Sequence, residues 1–125
     1  TYNANPNSLR AALEVLAAEP GERWLALGDM SELGPQAREL HARVGEWARE
    51  FGVSRLFAVG PLAAEAARVF GPDGEHFPDK GALVTAVREG LRPGVAVLIK
   101  GSRVMGMEQV TQALTAPTAI RGEET

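Results

Sequence analysis

The chain has 125 residues, 45% of them apolar, and a formal net charge of −3 at neutral pH, which describes one globular domain with a core of ordinary size. Zero cysteines exclude disulfides, thiolate catalysis and Cys-based zinc sites, and two widely separated histidines speak against a His-rich metal site. The negative charge speaks against a nucleic-acid footprint, no apolar run approaches the ~18 residues of a membrane span, and no segment reads as a signal peptide.

In chain order, Asn5-Pro6 reads as a helix start, Asn as N-cap and Pro at the first helical position. Leu9, Ala12, Leu13, Leu16 and Ala17 then follow the spacing of one helical face, ended by Pro20-Gly21. Trp24 to Leu27, closed by Gly28, reads as a buried strand. Gly34-Pro35 opens a second helix with Ala37, Leu40, Val44, Trp47, Ala48 and Phe51 on one face and Gly52 as its stop. Val53 to Val59 is the next strand, followed by Gly60-Pro61. Leu62, Ala63, Ala66, Ala67 and Phe70 form a third helical face, stopped at Gly71-Pro72. Glu75 to Phe77 is a short strand, and Asp79 caps a fourth helix carrying Leu83, Val84, Val87 and Leu91. Pro93-Gly94 turns into Val95 to Ile99, the clearest buried strand. A last helix holds Met107, Val110 and Leu114. From Thr115 onward, residues 115–125 read as a loose polar tail beyond a domain of residues 1–114.

Strands alternating with helices, joined by connections too long for hairpins, predict an α/β domain: a Rossmann-like, mostly parallel sheet with helices on both faces. The chain opens on a loop and helix with no strand ahead of them. It therefore reads as an excised domain; a first strand ahead of Thr1, if missing from it, would leave a sheet edge open to association.

In such a sheet the strand-to-helix junctions share one rim, where ligands bind. Four loops are expected there: Asn3 to Ser8, Gly28 to Gly34, Gly60-Pro61 and Lys100 to Met105. They carry amides (Asn3, Asn5, Asn7), hydroxyls (Ser8, Ser31, Ser102), acids (Asp29, Glu32) and bases (Lys100, Arg103), a set suited to a zwitterion or a phosphate-bearing ligand. Plainer readings stand beside this one. Asn5 and Ser8 also fit helix capping, and Asp29 and Glu32 fit solvated loop carboxylates. Lys100, one of only two lysines among thirteen basic residues, is harder to assign to solvent at a strand end flanked by Gly101-Ser102-Arg103. His41 reads as a packed helix residue, and Trp24 and Trp47 as core or interface aromatics. The chain has neither G-x-x-x-x-G-K-[S/T] nor G-x-G-x-x-G, so it holds no P-loop and no dinucleotide fingerprint. No nucleophile has an evident base. The residues alone reach an α/β domain supplying one wall of a polar site, with a non-catalytic ligand-binding or regulatory module as the competing class.

Four motifs in order carry a resemblance: Tyr2-Asn-Ala-Asn-Pro6, Leu27-Gly-Asp-Met-x-Glu-Leu-Gly34, His41-x-x-Val-Gly45, and Lys100-Gly-Ser-Arg103 followed by Met107-Glu108. Together they resemble the C-terminal domain of the Mur ligases, in the branch that joins D-alanyl-D-alanine to UDP-N-acetylmuramoyl-tripeptide. The Tyr2 string disfavours a sister ligase taking another amino acid. One departure is that the family's usual Asp ahead of the position of Thr1 falls outside this sequence. The resemblance implies a cytoplasmic bacterial enzyme of cell-wall synthesis. ATP phosphorylates the tripeptide carboxylate, the dipeptide amine attacks the acyl phosphate, and phosphate leaves. It also implies that a central domain holds the P-loop and Mg2+, and that this domain closes over ATP and helps bind the dipeptide. Carried over residue by residue, Tyr2, Asn3, Asn5 and Ser8 would face ATP and the reaction centre. Asp29, Met30, Glu32, Gly60, Pro61, Lys100, Ser102 and Arg103 would face the dipeptide. No catalytic residue and no metal ligand is expected within the fragment, and no cofactor bound tightly by it.

Overall fold

The computed structural model describes residues 6–101 and 119–124, with residues 6, 31–33 and 119–124 described by their backbone alone. The elements are α1 (Pro6–Ala17), β1 (Glu22–Gly28), a 3₁₀ turn (Ser31–Gln36), α2 (Ala37–Glu50), β2 (Arg55–Val59), α3 (Ala63–Phe70), β3 (Gly74–Phe77), α4 (Lys80–Gly90), β4 (Val95–Gly101) and β5 (Ala119–Glu124). All strand pairings are parallel and the order across the sheet is β3-β2-β1-β4-β5. Sequence order reverses direction between β1 and β4, the doubly wound arrangement in which the crevice outside those two strand ends takes ligands.

Alternation along the central strands divides the core. Leu25 and Leu27 of β1, Leu56 and Ala58 of β2, and Ala96 and Leu98 of β4 pack with Leu9, Leu13, Val44, Ala66 and Phe70 under α1, α2 and α3. Trp24 and Ala26, Phe57 and Val59, and Val95, Val97 and Ile99 pack with Leu83 and Val87 of α4 on the other face. Burial on both faces makes β1 and β4 read as continuous apolar runs.

Most expected elements occur with shifted ends. The strand expected from Val53 begins at Arg55, because the Val53 amide bonds the Ala48 carbonyl and the Ser54 amide bonds the Arg23 carbonyl. The helix expected at Gly34-Pro35 is preceded by the 3₁₀ turn containing Pro35, and α2 proper begins at Ala37. Asp79 caps α4 as expected, its carboxylate accepting from the Ala82 amide at 2.8 Å.

The loose polar tail is corrected. Residues 119–124 form β5, paired along β4 from Ala96↔Ala119 to Gly101↔Glu124. A parallel ladder is made by backbone groups, so a polar segment can satisfy the outer edge of β4 without an apolar pattern of its own. The expected helix around Met107 to Leu114 lies outside the described residues.

Candidate active-site rim

The carboxyl ends of β1, β2 and β4 lie side by side: Gly28 is level with Val59, and Leu27 with Lys100. Lys100 is in phase with Ala96 and Leu98 along β4, so its stem rises on the α1 side of the sheet. It is 1% exposed, and its ammonium donates to the Ser8 hydroxyl in the first turn of α1 at 3.2 Å. Ser8 and Lys100, carried over to the ATP and dipeptide sides respectively, thus touch one another across 92 residues of sequence.

Asp29, the first residue beyond β1, is 6% exposed. Its Oδ1 accepts from the Ala63 amide at 2.7 Å. That bond caps α3, whose own N-cap position, Leu62, supplies no capping side chain. Gly60 makes room for this carboxylate: its φ is +105°, and a Cβ there would collide with the Asp29 carboxyl group. Pro61 follows on the surface. Asp29 is therefore neither a solvated loop acid nor free of structural work.

Met30 is fully buried. Its amide donates to His41 Nε2 at 3.0 Å, and His41 Nδ1 stands 2.6 Å from the Ala37 carbonyl one turn earlier in α2. This pattern requires the neutral imidazole with its proton on Nδ1. Burial pushes the His41 pKa below its ordinary value, against the opposing pull of the Ala37 carbonyl and the Asp29 carboxylate. A lowered folded-state pKa means that this contribution to stability is complete above the unfolded value of about 6.5 and is lost as pH falls through the folded one. We expect the melting-temperature advantage of the wild-type chain over His41→Gln to hold steady near pH 8 and to shrink towards about pH 5. A difference independent of pH would show that His41 is not held neutral.

The rim thus gathers Ser8, Asp29, Met30, Gly60 and Lys100. Glu32 falls in the 3₁₀ turn after Met30, described by its backbone alone. Tyr2, Asn3, Asn5, Ser102 and Arg103 lie outside the described residues. Sequence reasoning missed the two relations that organise the loop, Asp29 with Ala63 and His41 with Met30. One signal for the first was readable: Gly60-Pro61-Leu62 offers no side chain able to cap the helix that follows. Among the described residues no cluster of three or more His, Cys, Asp or Glu side chains could hold a metal. No helix among them is long and apolar enough to cross a membrane.

The "Mur ligase, glutamate ligase domain" family model matches residues 1–103. UDP-N-acetylmuramoyl-tripeptide–D-alanyl-D-alanine ligase of Escherichia coli K12 is 42% identical over 116 residues, covering 91% of this chain and 25% of that protein. The chain thus spans about a quarter of the length of such curated relatives. MurF from Acinetobacter baumannii superposes with a TM-score of 0.75 at 30% identity, covering 90% of this chain and 25% of that one. MurF ligase from Thermotoga maritima, solved in complex with ADP, shares the fold at a TM-score of 0.74 and 24% identity, over 90% of this chain and 26% of that one. On the match across residues 1–103 and these likenesses, the chain belongs to the Mur ligase family.

Proposed function

We propose that this chain is the C-terminal domain of an ATP-dependent ligase that joins D-alanyl-D-alanine to UDP-N-acetylmuramoyl-tripeptide in the bacterial cytoplasm. The observation that carries the reading is the coincidence of family and geometry. Two of the motifs that resemble the family, those opening at Leu27 and at Lys100, start from adjoining strand ends at the β1/β4 crevice, where Lys100 meets Ser8 and Asp29 follows β1 directly. ATP, bound in the complete enzyme, supplies the phosphoryl group that activates the tripeptide carboxylate. Magnesium, like the P-loop, is assigned in this reading to the central domain of the complete enzyme. This domain's part is to position: Lys100 brings a cation to the rim, and the loop from Asp29 to Glu32 presents a fixed backbone to the dipeptide.

The test compares the 125-residue chain with the complete ligase. We expect no ATP-dependent phosphate release from the chain alone, and release from the complete ligase that requires both the tripeptide precursor and D-alanyl-D-alanine. Phosphate release by the isolated chain would overturn the division of labour. A complete ligase indifferent to the dipeptide but active with a single amino acid would overturn the substrate.

A further inference from the structure

The motif His41-x-x-Val-Gly45 has no share in the reading above, yet its histidine holds the loop on which that reading depends. Met30 follows the Asp29 cap directly, and its amide points inward, away from solvent and from any strand partner. His41 Nε2 receives it at 3.0 Å, and the imidazole is fixed from behind by the Ala37 carbonyl at 2.6 Å. The imidazole is wholly buried and neutral, so it presents no proton and no charge to a substrate. It can act only through the backbone it holds. Asp29 anchors one side of the loop to α3, and His41 anchors the next residue to α2.

From this double anchoring we infer that His41 is a positioning residue for amine-substrate binding: its Nε2 lone pair holds the Met30 amide and so sets the loop from Asp29 to Glu32 against the dipeptide. The inference rests on the proposed role of that loop as a dipeptide surface. A buried backbone amide without an acceptor is costly. Among the described residues the side-chain acceptor of the Met30 amide is His41, so losing it lets the rim backbone drift. A shift of about 1 Å in a positioning group is enough to cost up to about a hundredfold in rate or binding.

Two substitutions of similar polarity divide the two bonds of the imidazole. In His41→Gln the longer amide places an oxygen near the former Nε2 and keeps an acceptor for Met30. In His41→Asn the shorter amide reaches only as far as Nδ1, keeping the helix-side bond to Ala37 and losing the loop-side one. The experiment measures, in the complete ligase, deuterium uptake of the segment 29–34 and KM for D-alanyl-D-alanine and for ATP. We expect His41→Asn to raise uptake in that segment and to raise the dipeptide KM by about tenfold or more with the ATP KM little changed. We expect His41→Gln to restore both towards wild type. Equal damage in the two variants, or unchanged uptake in His41→Asn, overturns the inference, because His41 is then only a buried packing group. A loosened segment with an unchanged dipeptide KM instead sinks the dipeptide role of the loop, and the two failures are thereby told apart.

Discussion

Gly45→Ala should lower the melting temperature by on the order of 10 °C, from a loss of about 3 kcal/mol. The sign is the diagnostic part. Gly45 lies inside α2, where Ala is ordinarily better than Gly by up to ~1 kcal/mol. At this position α3 approaches so closely that a Cβ would overlap the Ala66 carbonyl oxygen, a backbone atom that cannot rotate away. The facing stretch of α3 is correspondingly small, with Ala63, Ala66 and Ala67 all buried. Accommodating one methyl group means moving α3 as a body, and its N-terminus carries the Ala63 amide bound to Asp29. The packing defect therefore reaches the rim. In the complete ligase we expect the same variant to weaken dipeptide binding, even though residue 45 touches no substrate. A Gly45→Ala chain as stable as wild type would mean that the helices are not in register as described.

The spacing of His41 and Gly45 acquires a physical reason here. They lie one turn apart on the buried side of α2: one receives the amide of the rim loop, the other admits α3. From the sequence the motif was legible only as a recurring string. Strands β1 and β4 were legible because both of their faces are buried, which leaves an unbroken apolar run bounded by glycine. The helices were legible from their spacing, and Asp79 from its place ahead of α4. What escaped was of two kinds. Strand β5, Ala119–Glu124, holds one large apolar residue, so its pairing with β4 leaves no periodic trace. The rim contacts join residues 34, 11 and 92 positions apart, and a single sequence carries no sign that such pairs meet. That the ends of β1, β2 and β4 share one rim followed from the parallel topology. The contact of Ser8 with Lys100, two residues assigned to opposite sides of the site, did not.

The burial of Lys100 changes how its role is best tested. Lys100→Ala in the complete ligase is expected to raise the KM for D-alanyl-D-alanine more than that for ATP, as is Arg103→Ala, whose position lies outside the described residues. With Lys100 1% exposed and bonded to Ser8, truncation to Ala also opens a cavity beside α1 and lowers stability by about 2 kcal/mol or more. That loss would blur any kinetic reading. Lys100→Met separates the two. It removes the charge but keeps most of the volume, so it opens a smaller cavity than Lys100→Ala, and Ser8, an exposed residue, can turn its hydroxyl to water. If the ammonium serves a substrate carboxylate or phosphate, a charge-assisted bond of roughly 1.5–3 kcal/mol disappears. The expected result is a fall of about one to two decades in kcat/KM for the dipeptide with a melting temperature above that of Lys100→Ala. If the ammonium only fastens α1 to β4, Lys100→Met keeps its activity while Lys100→Ala loses stability. Kinetics on both substrates, with a thermal melt of each variant, decide between a cation that meets substrate and one that braces the first helix.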